Sequence, residues 1–380
     1  MDSMNHQPRT YRFAVAAFFF IAGICFASWA SRIPDISKAL HLSEGSLGAV
    51  LFSLPIGSMC SLPLSGWLVA KLGSRKVATL SGLIYPSVLI CLGFCNTVPL
   101  LITTLFFFGL FGNMMNISVN TQAVGVEALY GRSIMATFHG VWSLAGFSGA
   151  AVGTLMIARG FDPNQHFIGI AAVMMGLALY TQQYILRSDN SSPDQPIFAK
   201  PDANLLKLGL IAFCCMAAEG TMFDWSGIYF QKVVQAPKNL TTLGYAAFMS
   251  TMAGGRFLGD RLVTRFGRKK ILLGSGSMIA TGLLTAVIFP SLVTAIAGFL
   301  LVGIGVSSVV PVVYSEAGKS TTMSAGVALA AVSSIGFLGF LIGPPLIGFI
   351  AELFSLRTSF AVIALLGFGT TLLARETKFS

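Results

Sequence analysis

Long stretches of this 380-residue chain carry no Asp, Glu, Lys or Arg, and short polar breaks separate them. Residues 13–31, 45–70, 133–158 and 167–186 are each one such stretch. Each is long enough for the about 20 apolar residues that a helix needs to cross a bilayer core. Residues 77–126 are too long for a single span and divide at Asn96, Thr97 and Pro99. Residues 208–231 form a seventh span interrupted only by Glu219 and Asp224, and residues 239–255 an eighth that continues to about residue 262. Residues 271–315 divide at Pro290 and Ser291, and 320–351 and 358–374 complete a predicted set of twelve. The alternating ten-residue segments of a membrane barrel do not occur, so the spans are predicted to be helices whose backbones satisfy themselves in lipid.

Composition narrows the class further. Hydrophobic residues make up 54% of the chain and charged residues 10%, with a mean hydropathy of +0.78. A soluble domain carries roughly a quarter charged residues, so an ordinary cytosolic enzyme is excluded, and so is a disordered chain. The net charge of +10 lies on an oily chain and not on one basic face, which argues against a nucleic-acid partner. It bears instead on orientation. Eighteen of the 24 basic residues fall on the side that holds both termini, and six (Arg32, Lys38, Arg159, Lys232, Lys238 and Arg357) on the other. By the positive-inside rule both termini are expected in the cytoplasm, in a cell inner (plasma) membrane. The first span is read as a retained helix, not a cleaved signal. All six cysteines lie within apolar runs, where they are expected to pack, and neither a metal site nor a cofactor is expected.

The two halves repeat. Residues 66–76 overlay residues 260–270 at an offset of 194, matching Leu68 to Leu262, Val69 to Val263 and Gly73 to Gly267. Gly146, Phe147, Gly149 and Gly153 match Gly336, Phe337, Gly339 and Gly343, and Trp29 near the end of span one meets Trp225 near the end of span seven. The predicted organisation is a six-helix bundle over 1–186, a cytoplasmic linker over 187–207 and a second bundle over 208–380.

Gly66, Leu68, Lys71, Gly73, Arg75 and Lys76 follow the pattern Gly-x-Leu-x-Asp-Arg-x-Gly-Arg-Lys, and the chain thereby resembles the major facilitator superfamily. Ala70 and Thr264 stand where that pattern has its aspartate, so the usual charge contact of this loop would have to come from Asp260, four residues after Arg256. Span eleven carries Gly339, Gly343, Pro344, Pro345 and Gly348, similar to the glycine-proline motif of the superfamily. Residues 27–34, His139 to Leu144, and Ala218 to Gly220 with Asp224 and Trp225 resemble the MosC/YbjJ-like branch. The resemblance implies a secondary transporter working by alternating access, its small-molecule solute sugar- or cyclitol-like and held between two bundles. An efflux carrier for drugs or lipophilic compounds and a passive channel stay open as alternatives. A monomer is expected.

Polar residues inside spans are the candidates for that work. Glu219 lies about 17 Å into span seven at 1.5 Å per residue, where a carboxylate is costly to place unless it functions, so it is the expected proton-coupling group together with Asp224. Asp224 is also a possible partner for Arg32. Asn113, Asn116 and Asn120 share one helix face; as donors and acceptors they suit a hydroxyl-rich solute or tie helices together. His139 and Trp142 share a face of span five, and with Trp225 they join the expected solute-binding set. Arg32 is expected to snorkel to the interface or to gate. Lys71, Arg75, Arg256, Asp260 and Arg265 are expected gate residues on the base-rich side, facing Glu127 and Glu316 at the ends of spans four and ten. The glycines of spans five and eleven are expected to form the surface on which the bundles rock.

Overall fold

The computed structural model describes residues 8–130, 134–187, 201–317, 319–320 and 325–378, apart from the side chains at 70, 136, 260, 325–327, 329 and 330. Among the described residues there is no strand. Fourteen α-helices follow in chain order: α1 (Pro8–Ala39), α2 (Glu44–Leu51), α3 (Ser53–Leu72), α4 (Ser74–Gly93), α5 (Val98–Tyr130), α6 (Met135–Ala158), α7 (Pro163–Thr181), α8 (Ala203–Lys232), α9 (Leu243–Phe266), α10 (Arg268–Ile288), α11 (Leu292–Ser307), α12 (Val309–Ala317), α13 (Ala325–Leu353) and α14 (Leu356–Glu376). Among the described residues, eleven helical stretches are long and apolar enough to cross a membrane, with α2 and α3 contributing one and α11 and α12 another. The twelfth expected span is α9. At 24 residues it would reach about 36 Å, but Arg256, Asp260, Arg261 and Arg265 crowd its second half and lower its hydropathy.

Local signals set the boundaries. Asp202 accepts from the backbone N–H groups of Asn204 and Leu205 at 2.9 and 2.8 Å and so starts α8, as a side-chain cap does. Ser355 starts α14 by accepting from the N–H of Thr358 at 3.1 Å. Pro63 and Pro86, and the pair Pro344 and Pro345, lie inside α3, α4 and α13; packed membrane helices tolerate them because neighbours satisfy the freed backbone groups. Gly73 and Gly267 each hold the junction before the next helix, at φ 82° and ψ 149° and at φ 80° and ψ 153°. That region is strained for residues with a side chain, so the two matched loops of the repeat share one unusual backbone shape.

The chain clusters into two units, one of residues 1–40 and 53–193 and the other of residues 41–52 and 194–380. In the first, α6 packs on α1, α3 on α5, α4 on α5 and α7, and α7 on α1. The second unit repeats the scheme, with α13 on α8, α9 on α11, α10 on α11 and α14, and α14 on α8. It also takes in α2, which lies on α13. A side chain at Gly48 would meet the Pro344 carbonyl at 2.8 Å and the Gly348 Cα at 3.0 Å, so this crossing depends on two bare backbones.

Four glycines of spans five and eleven hold neighbouring helices together. Gly149 and Gly153 press α6 against Ala27 and Ser31 of α1, and Gly336 and Gly339 press α13 against Ala212 and Phe213 of α8. These four bind helices inside one unit. Small residues let these backbones approach closely, and in lipid such packing replaces the hydrophobic drive.

Candidate functional site

Within the second unit, α8 carries Glu219 seventeen residues into a 30-residue helix. Its side chain is 6% exposed, and its Oε1 accepts from Arg256 Nη2 of α9 at 3.1 Å. Arg256, counted from sequence among the loop bases of the base-rich side, instead stands inside the unit with a 14% exposed side chain. The side chain of Asp260, its expected partner, is outside the description. Tyr245, at the other end of α9, is 2% exposed with a hydroxyl lacking a hydrogen-bond partner, and it lies within electrostatic reach of Asp224 and Glu219. Asp224 is half-buried. Phe223 beside it packs on Tyr245, Phe248 and Phe340 at ring separations of 6.1, 5.7 and 6.0 Å. Trp225 is fully buried with its indole N–H unpartnered. A buried ion pair is thus walled by aromatic rings, with a carboxyl and a phenol close by.

The first unit collects its buried charge at the far end of α1. Arg32 is only 1% exposed, so it does not snorkel as expected. Its Nη1 donates to Asp35 at 2.8 Å, its Nε to His166 Nδ1 at 3.2 Å and its Nη2 to the Phe161 carbonyl at 2.9 Å. Asp35, within α1, is thus the carboxylate that pairs with Arg32, and the bonds to His166 and the Phe161 carbonyl tie α1 to α7 and the turn before it. Accepting at Nδ1 fixes His166 as the tautomer with its proton on Nε2, and that nitrogen is buried without a partner.

The asparagine face divides. Asn113 donates to the Ser58 carbonyl of α3 at 2.9 Å, a helix tie. Asn120 donates to the side chain and backbone oxygens of Asn116, each at 2.8 Å, and Asn116 is exposed. His139 is exposed and meets Phe19 edge-on at 5.4 Å, while Trp142 is half-buried near Phe26 at 6.3 Å.

Comparison with known proteins decides the family. A profile of the Major Facilitator Superfamily matches residues 13–321 and 208–377. An uncharacterised MFS-type transporter of Yersinia pestis is 37% identical over 348 residues, covering 92% of this chain and 91% of the relative. The chain belongs to the major facilitator superfamily. The membrane protein MosC of Rhizobium meliloti is 31% identical over 93% of this chain and 87% of its own length. The nucleoside transporter NupG shares the fold, with a TM-score of 0.78 at 14% identity, covering 97% of this chain and 99% of that one. This protein is therefore a multi-pass membrane transporter of the superfamily.

Both copies of the superfamily loop can now be compared. In the first, Lys71 lies over the Trp67 ring at 4.7 Å, and Arg75 is half-buried. In the second, Arg265 lies over Phe266 at 5.4 Å, and Arg268 pairs with Glu316 of α12 at 3.3 Å, with Lys319 at 4.0 Å from the same oxygen. Glu127 accepts from the N–H groups of Ile134 and Met135 at 2.7 and 2.9 Å, so it holds the N-terminus of α6. Sequence reasoning missed His166, placed one residue before an apolar run, and Tyr245, which reads as an ordinary aromatic of a span. Neither carries a signal until the fold sets it near a buried charge.

Proposed function

We propose that this superfamily member is a secondary active transporter moving a small polar solute, sugar- or cyclitol-like, by alternating access with proton coupling at Glu219. The buried Glu219–Arg256 pair carries the reading. Adding a proton to Glu219 cancels the negative charge 3.1 Å from the guanidinium. Removing one partner of a buried pair destabilises by roughly 3–5 kcal/mol. That approaches the about 5.5 kcal/mol that carries a two-state equilibrium from 1:99 to 99:1, so one proton is enough to bias α8 against α9. Asp224, with Tyr245 nearby, is the second protonatable group of the same helix.

The exposed Asn116 and His139, with half-buried Trp142 and Asn120, support a hydroxyl-rich solute. Amides donate and accept at once, and an aromatic face covers the apolar side of a sugar ring. The eighteen-to-six division of bases supports cytoplasmic termini in an inner membrane. The sequence halves 1–186 and 208–380, joined by the linker 187–207, are the moving bundles of a monomer.

The test uses purified protein in proteoliposomes. A thermal-shift screen against sugars, cyclitols, amino acids and lipophilic cations first finds the solute, since binding to the native state raises apparent stability. Glu219→Gln is then expected to keep solute exchange and to lose accumulation driven by a pH gradient. Unchanged accumulation rejects Glu219 as the coupling group. Stabilisation by lipophilic cations alone moves the reading to an efflux carrier, and absence of counterflow moves it to a channel.

A further inference from the structure

A cavity of about 730 Å³ opens at the junction of α9 and α10. Its lining combines a cationic part, Arg268, Lys269 and Lys270, with an apolar part, Val263, Phe266 and Leu273, and Thr264 and Gly267 complete it. A water molecule takes up about 30 Å³ of liquid, so the space far exceeds what one small anion fills. Arg268 is balanced by Glu316 at 3.3 Å, whereas Lys269 and Lys270 are exposed and make no ion pair among the described residues. Three cations also follow one another in the first turn of α10, where the helix dipole is positive and opposes them. An anion in the cavity relieves both conflicts.

The apolar part continues along α9. Leu258, Leu262 and Phe266 follow at four-residue spacing and therefore share one face; Leu258 is 50% and Phe266 48% exposed. This stripe covers about 12 Å of helix at 1.5 Å per residue and ends at the cationic part. Charge at one end and exposed hydrocarbon leading away from it match a single kind of molecule, one with an anionic head and acyl chains.

We infer that this cavity binds the headgroup of an anionic phospholipid, its phosphate held by Lys269 and Lys270 and its chain lying along Leu258, Leu262 and Phe266. Basic pockets beside membrane helices recognise such heads through charge. The site is separate from Glu219 and does not rest on the solute or the coupling ion.

The full-length protein in neutral detergent tests it, with thermal unfolding as readout. Dioctanoyl phosphatidylglycerol is expected to raise the unfolding temperature saturably, whereas dioctanoyl phosphatidylcholine and inorganic phosphate do not. Lys269→Gln with Lys270→Gln is expected to raise the half-saturating phosphatidylglycerol concentration at least about tenfold, and Lys269→Arg with Lys270→Arg to restore it. Both lysines are exposed, so the variants fold. Equal stabilisation by phosphatidylcholine, an equal shift with phosphate alone, or an unchanged half-saturation in the glutamine variant overturns the assignment.

Discussion

Helices α1 and α8 open the two halves of the repeat, and Trp29 and Trp225 align them at an offset of 196. Both indoles are buried with an unpartnered N–H. At the same offset Gly23 faces Glu219 and Arg32 faces Ile228. Gly23 lies so close to α6 that an added Cβ would run into the Trp142 carbonyl and come within 2.8 Å of Ala145 Cβ. Glu219 instead reaches across to α9 and pairs with Arg256. The first helix thus carries its buried charge at one end, in a lock, and is fused to its neighbour in the middle. The second carries its buried charge in the middle, as the Glu219–Arg256 pair. One architecture thus buries its charge at two different levels, and the residue at a single matched level separates the two copies.

The severest way to break this contrast is Gly23→Glu. A buried carboxylate would meet a carbonyl oxygen and a methyl group, combining overpacking with an unpaired charge. The expected loss exceeds about 4 kcal/mol, seen as absence of monodisperse protein after extraction; a normal melting curve would show the two levels to be equivalent after all. Next comes Arg32→Ala, which leaves Asp35 and His166 without their shared donor. It should cost roughly 3–5 kcal/mol in thermal unfolding, with Arg32→Lys recovering only part because an ammonium lacks the planar fork. A loss below about 1 kcal/mol would mean that the lock holds little. The smallest effect sharpens the likeness instead of the difference. Gly73→Ala and Gly267→Ala each force a side chain into a positive-φ, extended-ψ backbone that is essentially glycine-only, at about 1–3 kcal/mol. Penalties differing by more than that amount would show that the loops are not equivalent.

The spans were legible because hydrocarbon imposes length and polarity on every helix, and the repeat was legible because both superfamily loops need the same glycine turn. What sequence could not supply were partners. Arg32 and His166 are 134 positions apart, and an arginine at a span end reads as an interfacial anchor until the fold buries it. Arg256 follows the same logic. Near other bases in α9 it resembles a loop residue, yet Glu219, 37 positions earlier, draws it inside. Asn113 shows the opposite ambiguity, since an amide in a span reads equally as a solute contact or as a tie to Ser58. Glu127 has a local explanation, a cap on α6, that outweighs its matched position with Glu316. The break between α2 and α3 was not drawn from the sequence either, although Pro55 in the first turn of α3 has no N–H to give the Leu51 carbonyl.

That break bears on how the molecule could be divided. Residues 41–52 belong by packing to the second unit, although they precede the whole of α3 to α7 in the chain. Their Glu44 binds Lys232 at 2.8 Å, and the Gly45 N–H donates to Glu352 at 2.7 Å. Cutting the polypeptide in the linker would therefore leave a C-terminal fragment with Gly348 of α13 uncovered and Lys232 and Glu352 deprived of these contacts. Adding residues 41–52 back as a separate peptide would supply the missing piece, so complementation of split halves should depend on a dozen residues that the linear map assigns to the wrong side of the cut.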